Sequence, residues 1–250
     1  MNAIMLGLIG AAATAIVAEG SRFALEALKK RKSRSLSLAV KKCADVIAWG
    51  WSGERLLKRL VELDYKLLGD ILDKSREGTP KQWAPVFMEN PHTWVLITKG
   101  DRNIVGYWHF APLSDKLYAK VKSGELLDSE VIASEIQPLD IPGFYNIYFT
   151  MIGHNNIHLA LHNLIDAFYK TMEDLATRGV FFRELSANAL TENGARLCIG
   201  FGMKKAADHV DIGEVYSTPL DPWPKKLDIA RLSNLKSMYA KAFKEARSAS

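Results

Sequence analysis

Apolar residues at Leu161, Leu164, Ile165, Phe168, Met172 and Leu175 recur at intervals of three and four, a period that predicts a helix running to Gly179. On either side of it the period shortens. Thr93 to Thr98 (TWVLIT) reads as a strand, Gly100 to Asn103 as a turn, and Ile104 to Phe110 (IVGYWHF) as the returning strand of a hairpin. A short amphipathic helix is expected around Leu117 to Val121, and Phe144 to Ile152 (FYNIYFTMI) forms another strand after the Pro138 to Gly143 break. Val180, Phe181 and Phe182 open a further strand, which the small and polar run Ala187 to Thr191 interrupts. Thr191 then caps a short helix with Ala195, Leu197 and Ile199 on its apolar side, closed at Gly200. A last strand is expected at Val210 to Thr218, before Pro219, Pro222 and Pro224.

The ends of the chain read differently. Ala3 to Ala18 is 16 residues without a charge, followed by the basic cluster Lys29, Lys30, Arg31, Lys32 and Arg34. The apolar run precedes the positive charges, an order that suits an anchor with the basic side in the cytoplasm better than an export signal. It is short for a spanning helix, which needs about 20 apolar residues, and an Ala-rich helix packed on protein is the equal alternative. Ala3, Gly7, Ala11 and Ala15 place small residues along one face, a basis for self-association into a homo-oligomer. Leu36 to Leu72 reads as helical with a break near Gly50 to Gly53, and Leu227 to Arg247 as a terminal amphipathic helix carrying Leu232, Leu235, Tyr239 and Phe243. Trp83, Trp94 and Trp108 are expected in the core around the hairpin.

From Thr191 to Phe201 the chain resembles the GNAT superfamily of acyl-CoA-dependent N-acyltransferases, through Thr191, Gly194, Leu197, Gly200 and Phe201. The predicted order ββ-α-β-α-β-α-β is similar to that family's core over residues 62 to 222. The implied fold is α/β: a central mixed, mostly antiparallel sheet flanked by helices, with helical extensions at residues 1–61 and 223–250.

Charge divides along the same lines. Residues 1–60 hold eleven basic against four acidic side chains, residues 61–222 fifteen against twenty-two, and residues 223–250 seven against two. The central region is therefore acidic, which argues against a nucleic-acid groove there and suits a cationic acceptor. The two cysteines, Cys43 and Cys198, lie far apart and offer neither a disulfide framework nor a zinc spacing. Cys198 reads as a small buried residue. His154, His158 and His162 recur every four residues, but without the Glu or third ligand that would make a metal motif.

The resemblance implies an acetyl- or other acyl-CoA as cosubstrate and an amine, small molecule or protein lysine, as acceptor. It would place the cofactor along Thr150, Met151, Ile152 and Gly153, then His154, Asn155, Asn156, Ile157 and His158 at the following helix start, with Asn193 on the short helix. This loop lacks the basic residue and paired glycines of the family pattern. Helix N-termini attract anions whatever their side chains. The family's acid is a Tyr four residues before the Gly of Gly-Phe, and counting from Gly200 that position is Arg196, which cannot release its proton near neutral pH. Tyr148 is the nearest replacement, with Tyr145 a second. Glu184 is the candidate base, and Asn188 the candidate for ordering a water or the cofactor's amide arm. The rival reading is a GNAT-shaped assembly module without catalysis, attached to a membrane or partner by its N-terminus.

Overall fold

A computed structural model describes residues 38–72, 78–100, 102–155 and 158–249. The apolar run Ala3 to Ala18, the basic cluster after it, Asn156 and Ile157 lie outside the described residues. Among the described residues no helix is long and apolar enough to cross a membrane.

The elements in chain order are β1 (Leu38–Lys41), α1 (Cys43–Ala48), α2 (Gly53–Leu68), α3 (Pro80–Glu89), β2 (Trp94–Lys99), β3 (Asn103–Leu113), α4 (Asp115–Ser123), β4 (Gly143–His154), α5 (His158–Ala176), β5 (Val180–Ala189), α6 (Glu192–Gly200), β6 (Lys204–Asp208), β7 (Glu214–Pro219) and α7 (Ser233–Ala249). The strands form one sheet in the order β1-β2-β3-β4-β5-β7-β6. Every neighbouring pair is antiparallel except β4 and β5, which are parallel. Helix α5 makes the crossover that a parallel pair requires.

Helices cover both faces, so the central strands are apolar throughout and do not alternate. In β2, Val95 and Ile97 join the core beneath α5 and α7, while Trp94 and Leu96 join the core beneath α2, α3 and α4. Phe168 of α5 anchors the first core, edge-on to Trp108, Phe110 and Phe149. Leu56, Leu57, Leu60 and Leu63 of α2 and Trp83, Val86 and Phe87 of α3 fill the second. Ser52, Thr79 and Ser114 cap α2, α3 and α4, each accepting a hydrogen bond from the backbone N–H three residues on. Trp83, Trp94 and Trp108 are all buried.

Several expectations are corrected. Leu38–Lys41 is an edge strand on β2 inside a stretch read as helical. β5 does not break at Ala187: it continues to Ala189, because Ala187, Asn188 and Ala189 gain partners on β7. The expected strand Val210 to Thr218 is the second half of a hairpin, β6 to β7, and Val210 lies in its exposed turn. Helix α6 does end at Gly200, but the left-handed glycine is Gly202, with φ of 81°, after Phe201 N–H bonds back to Leu197 O. Within α6 the buried residue is Cys198, whereas Ile199 is 52% exposed. The three spaced histidines do not share a helix face, since His154 ends β4 and only His158 and His162 lie on α5.

Candidate functional site

The parallel strands part company. β4 and β5 pair from Gly143 and Val180 to Phe149 and Ala187, and no further. Beyond that point Ile152, Gly153 and His154 pair only with β3, and Asn188 and Ala189 only with β7. A bulge sits at the fork: His109 faces Met151 and Phe110 faces Phe149, which leaves Thr150 without an opposite residue. Bulges bend a strand and sharpen its twist, and this one turns both Thr150 and Met151 toward the α2 side. Thr150 Oγ1 is held there by His109 Nδ1 at 2.7 Å. The His109 ring is fully buried and stacked on Phe87, and burial drives its pKa down to about 3, so it stays neutral.

Each face of the fork carries a cavity. On the α5 and α6 side a small apolar one of about 30 Å³ is lined by Phe149, Ile152, Phe168, Ala187, Leu197, Cys198, Phe201 and Met203. On the α2 and α3 side lies a larger one of about 110 Å³, whose polar wall holds Asp64, Asp128, Tyr107, Tyr148, Asn188 and His209. Asp64 Oδ2 accepts from the Tyr107 hydroxyl at 2.7 Å. Burial outweighs that bond and, with the charge of Asp128, lifts the Asp64 carboxyl to about 7. Asp128 is lifted to about 6 by burial, against the opposing effects of His209 and of the Tyr148 hydroxyl 3.4 Å away.

The turn bearing Asp128 is fixed from two directions. Gln82 Nε2 donates to the carbonyls of Ser129 and Val131 at 2.9 and 2.8 Å, and His209 Nε2 bonds Leu126 O at 2.8 Å. Asn188 is fixed by donating to Ile212 O at 2.9 Å. Its Oδ1 approaches Gly213 so closely that an added Cβ there would lie 2.6 Å away, and Gly213 has φ of 95°. Glycine is needed for both reasons.

The sequence-derived candidates are thus partly assembled. Tyr148, Asn188, Thr150 and Met151 line the larger cavity, and Ile152 the smaller. Glu184 stands apart from both: it sits within β5 opposite Asn146 and pairs with Lys122 at 3.0 Å. Tyr145 is tied to Ile141 O at 2.6 Å. The expected loop from Ile152 onward is shorter than read, because Gly153 and His154 are still strand, opposite Tyr107 and Gly106, and Asn155 N–H is engaged by Val105 O at 2.7 Å. Asn155 instead lines a groove with Arg59, Lys66 and Arg102. His158 begins α5, and Asn193 is exposed on the first turn of α6.

Arg196 lies four residues before Gly200 and Cys198 four before the left-handed Gly202. Arg196 is exposed and paired with Glu192 at 2.5 Å, while Cys198 lines the apolar cavity with its thiol pushed up to about 11 by burial. Sequence reasoning missed Asp64, Asp128 and His209 altogether. One signal existed for Asp64: Leu57, Leu60, Val61 and Leu68 flank it at helical spacing, so it is an acid on an apolar stripe.

Among known structures, the chain is similar to the loading GNATL domain of CurA from Lyngbya majuscula, 11% identical with a TM-score of 0.48 over 74% of this chain and 99% of that one. It is similar to an acetyltransferase of the GNAT family from Staphylococcus aureus, 8% identical with a TM-score of 0.45 over 74% and 99%. A third is Ard1 from Thermoplasma volcanium, 10% identical with a TM-score of 0.42 over 73% and 95%. No protein-family model and no curated protein matches the sequence.

Proposed function

We propose that the protein is an acyl-CoA-dependent N-acyltransferase, with the acyl donor lying in the fork between β4 and β5 and the amine arriving from the α2 side. The observation that carries this reading is the parted parallel pair, with an apolar cavity on one face and an acidic one on the other. Strands that diverge leave backbone N–H and C=O groups without sheet partners, and such groups suit the amides of an extended pantetheine arm. Phe149, Ile152, Leu197 and Phe201 supply apolar walls for the arm. The donor's phosphates would then reach the start of α5, where a helix N-terminus favours anions.

Asp64 suits the role of base. Acyl transfer needs a neutral amine, and a carboxyl near 7 can take an ammonium proton at neutral pH and give it up again to solvent. The amine nitrogen then forms its bond to the thioester carbonyl carbon as the carbon–sulfur bond breaks. The departing thiolate takes a proton. Cys198 is badly placed in energy to give it: a thiol near 11 is about two units weaker as an acid than an ordinary one, so the transfer is uphill by about 3 kcal/mol. The proton that the nitrogen loses on becoming an amide balances the one the thiolate gains, exchanged through solvent, and Cys198 serves as a wall of the cavity.

Titration calorimetry of the full chain with acetyl-CoA tests the reading. Binding in the micromolar range is expected, together with at least tenfold weakening when Ala187→Phe fills the apolar side of the fork. An unaltered affinity in that variant would place the donor elsewhere, and no binding at all would remove the enzymatic reading.

A further inference from the structure

One end of the sheet carries a basic and aromatic surface that the cavities at the fork leave unused. Trp49, which follows α1, and Trp51 meet edge to face with ring centroids 5.3 Å apart. A guanidinium lies over each ring. Arg55 of α2 is 4.9 Å from the Trp51 centroid, and Arg102 of the β2–β3 turn 6.0 Å from the Trp49 centroid. Trp51 and Arg102 also line a groove with Arg59, Glu62, Lys66 and Asn155. Ile47, two residues before Trp49, is 58% exposed. Counting Glu62 and, from the sequence, Asp101 against Arg55, Arg59, Lys66 and Arg102, the surface keeps two net positive charges.

The register of β1 brings the N-terminal chain to the same end. Leu38 pairs with Lys99 and Lys99 with Asn103, so Leu38 stands in one row with the turn that bears Arg102. Arg34, the last of the basic cluster, is four residues before Leu38, a span of at most about 14 Å. Ala3 to Ala18, 16 residues without a charge, precedes that cluster. A run of this length is short of the ~20 residues of a spanning helix, and a marginal apolar anchor holds stably when a polybasic surface adds a second signal. Arg and Lys attract anionic headgroups, and Trp settles at headgroup level. A soluble polyanion would match the cations but give the apolar run and Ile47 nothing to bury against.

From this we infer that the surface built by Trp49, Trp51, Arg55 and Arg102 docks on an anionic lipid bilayer, together with the basic cluster that precedes Leu38. The inference is independent of the acyl-transfer reading, and its test involves neither acyl donor nor acceptor.

That test is co-sedimentation of the full chain with vesicles of phosphatidylcholine alone and of phosphatidylcholine and phosphatidylglycerol in equal parts. One variant, Arg55→Gln with Arg102→Gln, removes two charges from this surface and keeps side-chain stems on the rings. A control, Lys226→Gln with Lys244→Gln, removes the same charge from the α7 side of the sheet. All four side chains are exposed, and substitution at such positions leaves folding intact. The wild type is expected to bind anionic vesicles about tenfold or more tightly than neutral ones. The first variant should bind them about tenfold or more weakly than the wild type, and the control should stay within about threefold of it. Equal loss in the two variants would mean that net charge alone acts, and overturns the inference. Wild-type affinity in the first variant would assign the binding to the N-terminal chain alone and overturns it too, as does equal binding to both kinds of vesicle or binding to neither.

Discussion

Replacing Asp64 by Asn removes one ionisable group from the cavity while keeping an oxygen that can accept from Tyr107. The consequence for stability follows from linkage. Asp64 titrates near 7 in the fold, against 3.8 for an unperturbed Asp. A raised carboxyl favours the fold in its protonated form, so its contribution is complete below about pH 4, is lost as pH rises toward 7, and is then constant. Between pH 5 and pH 8.5 the loss from Asp64 is about 3 kcal/mol, and the loss from Asp128, titrating near 6, about 1 kcal/mol. Urea unfolding of the two proteins at pH 5, 6, 7 and 8.5 measures this directly. The wild type is expected to lose stability across the range, and Asp64→Asn to lose only the Asp128 share. Groups common to both proteins, such as His92, whose pKa burial lowers, cancel in the difference. Parallel pH curves for the two proteins would show that Asp64 is not buried in its acidic form, and the base assignment would fall with it. A steeper decline in the variant would show the carboxylate stabilising the fold as an anion, which contradicts the geometry outright.

Further outcomes are expected elsewhere in the molecule. Cys198→Ala should leave the rate of acetyl transfer within about threefold of wild type; a loss of about a hundredfold or more, the size usual for a missing proton donor, would make the thiol the acid after all. Gly213→Ala should cost about 1 kcal/mol or more in urea unfolding, from its positive φ and from the crowding of the new Cβ against Asn188 Oδ1 and Ala189 O. An unchanged urea midpoint would show that the turn relaxes around the added methyl group. Phe168→Ala, at the centre of the aromatic core, should cost about 3–5 kcal/mol, read as a lowered urea midpoint, and a loss below 1 kcal/mol would mean the cluster repacks freely.

What could be read in the sequence was the part of the fold where one periodicity dominates. The α5 stripe and the β2–β3 hairpin are long, apolar and bounded by turn residues, so their type and order survive in the structure. The elements that escaped are short and lie at the two edges of the sheet. Lys204–Asp208 is five residues of mostly exposed polar character, held by pairing to β7 and not by burial, so it carries no period to detect. Leu38–Lys41 is four residues beside a helix, and its partner β2 lies more than fifty residues away. Gly200 and Gly202 show the same limit at closer range. Both are plausible stops, and only the continuing bond from Phe201 N–H to Leu197 O decides between them.

The site was less legible, for a related reason. The fork depends on where two strands stop pairing, and that is set by the bulge at Thr150 and by the competing partner β7, neither of which leaves a mark in the residues of β4 or β5 alone. The acidic cavity gathers Asp64 from α2, Asp128 from the turn after α4 and His209 from the β6–β7 turn, three segments with no common motif. Each looks like an ordinary surface residue in its own neighbourhood. It is packing that removes their water, and the removal of water that changes their chemistry. An acid on an apolar stripe, as at Asp64, is the one local sign of this: a helix does not place a carboxyl among Leu57, Leu60, Val61 and Leu68 without something to balance it. Tyr107 meets one of its oxygens, and burial lifts the carboxyl to about 7, so Asp64 holds its proton over a pH range in which a surface Asp is charged.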